Sequence, residues 1–218
     1  MKVFLLKKIV VISLLLSLAF ITEFFFDKFI FNIDCCKSFI KLELLPIILI
    51  GFLFGFKLSF FSNLFYIFIH IMIEFAISSQ KHSLLTDAKS NYQLLLIILL
   101  FVFIIPYLLC SISGLYYNSE KRYFYFKKNF FFVFFTITIL QIINYLIFTF
   151  LLYNNFYEQI NHLMQNFLYL VQIKKFFSNP VYIFLIYYFC SIIFNNIIIG
   201  FILFYFLNYI FQENKDFF

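Results

Sequence analysis

Apolar residues run through this chain in six long stretches, over about 5–26, 40–56, 58–78, 92–117, 129–153 and 181–211. Short polar clusters separate them. A helix rises about 1.5 Å per residue, so roughly 20 apolar residues cross a hydrocarbon layer. Each stretch therefore predicts a membrane-spanning helix. The second is short, begins near Pro46 and is parted from the third only by Lys57, so the two form a tight helical hairpin. Longer connections fall at 27–39, 79–91 and 154–180. In the last of these, Ile160, Leu163, Phe167 and Leu170 recur at helical intervals among polar residues, which predicts an amphipathic helix lying at the interface. The pattern is that of an all-α integral membrane protein, with six transmembrane helices in a single bundle and one domain over 1–218.

Composition agrees. Only 12% of residues are charged, 65% are hydrophobic, and the mean hydropathy is +1.00. Soluble domains carry about 25% charged residues. The net charge of +6 comes from lysines gathered between the apolar runs, as membrane flanks require, and no basic face of a soluble domain is present to bind nucleic acid. The opening MKVFLLKKIVVISLLLSLAF has the lysines and apolar core of a secretory signal. Its apolar run continues to Phe26 without a small-x-small cleavage site, so it reads as the first membrane helix. Six spans place both termini on one side. The basic loop SEKRYFYFKKN, with Lys121, Arg122, Lys127 and Lys128, assigns that side to the cytoplasm of a multi-pass cell-membrane protein. Cys35, Cys36, Cys110 and Cys190 show no metal or disulfide spacing and read as small apolar fillers.

Polar groups within the spans are the functional candidates, because each must find a partner or a ligand there. Glu23 falls near the outer end of the first span, where it would snorkel to the interface. Glu43 precedes Pro46 at the mouth of the second, as a helix cap or part of a ligand pocket. His70 and Glu74 are four apart on one helix face and read as a hydrogen-bonded pair. A metal would need three or four ligands, and neither other histidine lies in a span. The fifth span carries a stripe of Thr138, Gln141, Tyr145 and Thr149 with Asn144 at its edge, and the sixth carries Ser191, Asn195 and Asn196. Amides on two helices serve as interhelical glue. They equally suit a neutral heterocycle whose edge alternates C=O and N–H. A buried anion would call for arginine, and no span contains one.

Three patches together, IKLELLPIILIGFLFGF (40–56), NYLIFTFLLY (144–153) and FNNIIIG (194–200), resemble the substrate-binding S component of energy-coupling-factor vitamin importers, nearest its riboflavin-specific members. The resemblance implies capture of a water-soluble vitamin for uptake. It implies as partners a transmembrane coupling subunit and two ATPase subunits, and no cofactor beyond the transported riboflavin. The family's ring-binding asparagine falls on Asn144 and its sixth-helix asparagine on Asn196. The backbone before the second-helix proline falls on Leu44 and Leu45, beside Glu43, and Gln141 lies one turn from Asn144. The family docks its first helix on the coupling subunit through a small-residue face, here Ser13 and Ser17 with Ala19 nearby.

The chain departs from the pattern in several places. The family's lysine falls on Ile199, its Gly-Pro on Gly55-Phe56, the acidic residue before the proline on Leu44, and a third-helix Lys-Asn on Tyr66-Ile67. A different vitamin, such as folate or thiamine, is the first alternative, and a ligandless membrane scaffold the second. No GxxxxGK[ST] phosphate loop is present, so ATP hydrolysis is expected of a partner. An intramembrane enzyme built on His70, Glu74 and Glu43 would lack a nucleophile motif or an arginine cluster, so an enzyme is not expected.

Overall fold

The structure, a computed structural model, describes residues 2–25, 41–78, 92–116, 126–155 and 180–213. All five segments are helical. The chain forms α1 (Lys2–Phe25), α2 (Leu44–Phe54) and α3 (Phe56–Ser78). Next comes α4, a rod over 92–116, followed by α5 (Phe126–Asn155) and α6 (Pro180–Glu213). Five of these rods are long and apolar enough to cross a membrane, and α2 is shorter. The amphipathic helix expected within 154–180 and the connection at 79–91 lie outside the described residues.

The packing is inverted relative to a soluble protein. Phe61, Phe131, Phe150 and Tyr205 project outward, each more than 60% exposed. Glu43, Asn63, His70, Gln141, Asn144, Asn195 and Asn196 are buried. A soluble chain hides its large apolar groups first, so this distribution belongs to a bundle whose outside meets lipid.

The second apolar run gives a helix of 11 residues. That is about 16 Å, roughly half a hydrocarbon layer. Sequence signals bracket it at both ends. Leu44 and Leu45 N–H donate to the carbonyls of Lys41 and Leu42, forming a turn that leads into the helix. Pro46 then occupies the first helical turn, where a missing N–H costs nothing. At the other end Gly55 takes φ 86°, a conformation that only glycine adopts without strain, and its N–H closes on the Gly51 carbonyl at 3.0 Å. Helix α3 begins at the next residue, so the expected hairpin is present in its tightest form.

Small residues let α4 approach this hairpin. A Cβ on Gly114 would overlap the Gly55–Phe56 backbone, and one on Gly51 would overlap the Ser113 hydroxyl. Ser113 Oγ donates within this contact, reaching the Ile48 carbonyl at 3.0 Å.

Rod α4 changes pitch along its length. Tyr92–Ile98 is α-helical, Leu99–Ile104 is a π-helix, Ile105–Leu109 returns to α, and Cys110–Tyr116 tightens to 3-10. Pro106 explains the wide segment, since a π turn moves the ladder past a residue that lacks an N–H. Ile105 N–H already reaches back five residues, to Leu100.

Helices α5 and α6 run antiparallel, with Tyr145 stacked on Tyr188 at 4.3 Å near one end and Phe130 packed on Phe204 at 5.6 Å near the other. Helix α1 lays Ile12, Leu16 and Ala19 on the bundle and stacks Phe20 on Tyr66 at 4.6 Å.

A polar layer in the middle of the bundle

Tyr107 lies about 16 Å along α4 from its Tyr116 end, and His70 about 12 Å along α3 from its Ser78 end. Around these two residues polar side chains from α1, α3, α4, α5 and α6 and from the lead into α2 come together.

On one side are amides. Asn196 Nδ2 on α6 donates to Gln141 Oε1 on α5 at 2.8 Å, and Gln141 Nε2 approaches Cys110 Sγ on α4 at 4.0 Å. One turn along α5, Asn144 Nδ2 donates to the Phe101 carbonyl at 2.9 Å. Phe101 is five residues before Pro106. Its carbonyl would therefore receive the proline's N–H in the π register, had the proline one. Asn144 supplies the missing donor. The Oδ1 atoms of Asn144 and Asn196 are both buried and accept no hydrogen bond among the described residues. Each is an acceptor awaiting a donor, and a buried amide left so costs about 1–3 kcal/mol.

On the other side are ionisable groups. Glu23 on α1 pairs with His70 on α3, Oε1 to Nδ1 at 2.7 Å, and its Oε2 accepts from the Tyr66 hydroxyl at 2.8 Å. Tyr66, His70 and Tyr107 pack ring against ring, with centroids 5.3–5.7 Å apart. The Tyr107 hydroxyl donates to Glu43 Oε1 at 3.2 Å, and the Lys41 ammonium sits 5.6 Å from the centre of the Tyr107 ring. Asn63 anchors α3 to α4 by donating to the Tyr107 carbonyl and to Ser111 Oγ. The two sides meet at the lead into α2, where the Lys41 backbone N–H donates to Asn195 Oδ1 at 2.8 Å.

The candidates read from sequence fall in this layer with some changes of role. Glu43 stands at the first residue before α2, but its side chain makes no cap and reaches Tyr107 instead. Leu44 is buried and Leu45 half-buried, both packed in the core beside it. Gln141 and Asn196 meet across the α5–α6 contact, and Asn144 faces α4. Glu23, half-buried near the end of α1, turns its carboxylate to His70 and Tyr66 on α3. His70 takes its carboxylate from α1, and the side chain of Glu74 lies outside the described residues. On α1, Ser13 and Ser17 are exposed, each hydroxyl returned to its own helix, to the carbonyls of Ile9 and Ser13 at 2.9 Å. Ala19 is fully buried against the bundle, roughly 200° round the helix from Ser17, so it belongs to the inner face and not to the serine face.

Tyr66, Tyr107 and Lys41 carry no sequence signal that sets them apart from the chain's many other tyrosines and lysines. A usable signal did exist for Glu23 and His70, since a lone charge in a span implies a partner on another span. Among the described residues no group of three or more His, Cys, Asp or Glu is placed to hold a metal ion. No family model, curated protein or solved structure matches the chain, and its own geometry carries the functional reading.

Proposed function

We propose that this chain is the substrate-binding membrane subunit of an energy-coupling-factor importer, capturing a water-soluble vitamin with a neutral heterocyclic edge, riboflavin first. One observation carries the reading: on the two helices that hold Gln141 and its partner, the buried Asn144 Oδ1 and Asn196 Oδ1 accept no hydrogen bond among the described residues, as Asn63 Oδ1 on α3 also does not. A ring N–H would satisfy such an acceptor, and ring carbonyls would take the remaining amide donors. The convergence of Glu43, Gln141, Asn144 and Asn196 on one layer around α4 supports the same reading.

In this proposal α2 is the sixth membrane element, both termini are cytoplasmic, and the exposed serine face of α1 docks on the coupling subunit. Two ATPase subunits drive the cycle. Riboflavin binding to the detergent-purified protein tests it, because flavin fluorescence is quenched in an aromatic-lined site. Saturable quenching that Asn196→Leu weakens supports the proposal. Absence of flavin binding, with binding of folate or thiamine instead, would reassign the vitamin.

A further inference from the structure

We propose that the seam between α3 and α4 holds one internal water molecule, bound by Ser59, Asn63 and Ser111, at a site separate from the amides of α5 and α6. All three side chains are fully buried, and neither Ser59 Oγ nor Asn63 Oδ1 has a hydrogen-bond partner among the described residues. Ser59 and Asn63 stand four apart on α3, so they share one face of the helix. Asn63 fixes where that face points, because its Nδ2 donates to the Tyr107 carbonyl at 3.2 Å and to Ser111 Oγ at 2.9 Å, both on α4. Ser59 behaves unlike other helix serines here. Ser13, Ser17 and Ser62 return their hydroxyls to the carbonyl four residues back, whereas Ser59 meets the Gly55 carbonyl with its backbone N–H alone.

The way the two helices part leaves room there. At the start of α3, Gly55 and Phe56 pack so closely on Gly114 that a single methyl added to Gly114 would overlap their backbone. Farther along α3, the whole side chain of Asn63 spans the distance to α4. Ser59 lies between these two contacts, one turn from each, opposite the stretch of α4 between Gly114 and Ser111. Its side chain is shorter than that of asparagine, and its hydroxyl meets no polar group of α4. Residues one turn apart have Cβ atoms about 5–6 Å from each other. A water making two hydrogen bonds of about 2.8 Å bridges that distance.

The chemistry of the three side chains selects the occupant. Asn63 uses its amide N–H groups on α4, so its Oδ1 calls for a donor. Each serine hydroxyl brings one proton of its own, and Ser111 already accepts from Asn63. Water gives a proton to Asn63 Oδ1 and takes one from Ser59 or Ser111, within the two to four bonds that an internal water makes. A sodium ion would add charge to a group of neutral oxygens. No carboxylate bonds any of the three among the described residues, and a buried charge without a counter-charge is costly. The water accounts for Asn63 Oδ1 independently of any vitamin held at Asn144 and Asn196.

The test uses the full-length protein in detergent with no other ligand, and follows thermal unfolding of the wild type and of Ser59→Ala. Alanine is the better helix former and removes only the hydroxyl, so a hydroxyl bonded to nothing is lost without harm or with a gain in stability. A hydroxyl that holds a water is missed, and Tm should fall by about 2–4 °C. Replacing sodium with choline in the buffer should leave the wild-type Tm unchanged. A crystal structure of the wild type that shows ordered waters should place one peak within about 2.5–3.2 Å of both Ser59 Oγ and Asn63 Oδ1. A Ser59→Ala Tm equal to or above that of the wild type, a wild-type Tm that needs sodium, or a seam without that peak would overturn the proposal.

Discussion

Asn144 donates its side-chain N–H to the carbonyl of Phe101, 2.9 Å away on the neighbouring rod, at the position Pro106 leaves without a backbone donor. One amide thus supports a π-helical segment while its buried oxygen accepts no hydrogen bond among the described residues. In the proposed site, structure and recognition would share the same side chain.

Replacing Asn144 with Leu should therefore act twice. The Phe101 carbonyl loses its donor in a dry setting, which destabilises the fold by about 1–3 kcal/mol. Thermal unfolding in detergent should shift down measurably, and ligand affinity should fall in the protein that remains folded. Unchanged stability would show that water or a neighbouring residue replaces the amide.

Gly114→Ala should be among the most damaging single-methyl changes in the chain. Its Cβ would overlap backbone at Gly55 and Phe56, which cannot swing aside as a side-chain tip can. Overpacking of this kind costs about 1–3 kcal/mol or more. Gly200→Ala is the control, since its added Cβ would meet Phe134 at 3.6 Å, an ordinary contact. Accumulation in the membrane should drop for the first and hold for the second.

On the proposed function, Ser17→Leu should leave folding and ligand binding intact and reduce uptake. Ser17 is exposed and its hydroxyl bonds only its own helix, so the bundle itself has no use for its small size. A partner helix packing closely would be held away by leucine. Co-purification of the proposed coupling subunit with the variant, relative to wild type, is the measurement.

Salt should change ligand affinity little. The groups expected at the ligand are the neutral amides Gln141, Asn144 and Asn196, and Ile199 is fully buried where the resembling family carries lysine. Screening acts on exposed charges over about 8–10 Å at physiological ionic strength. A titration from low to high salt that costs ten-fold or more in affinity would indicate an anionic ligand.

Hydropathy alone placed five of the six helices to within a few residues, because each long apolar run has only one way to satisfy its backbone in lipid. The sixth, α2, was read too long. Its apolar flanks look like span, whereas the Pro46 turn and the positive-φ Gly55 decide where it starts and stops. The amides of α5 and α6 were legible as a group, since they stand out within their spans. Their partners were not. The Asn144 contact depends on a pitch change in α4, and the Glu23–His70 pair joins residues on helices whose rotation no local pattern specifies. Placing Ala19 with the serines failed for a related reason: nearness in sequence is not nearness on a helix face.

The most direct test of the account is equilibrium binding of riboflavin to the purified wild-type protein and to Asn196→Leu, followed by flavin fluorescence. Saturable, stoichiometric quenching is expected in the wild type. Loss of one hydrogen-bond partner should weaken it by roughly 5- to 150-fold in the variant. Equal affinity in the two proteins would contradict the claim that the amide layer in the middle of the bundle is where the ligand is held.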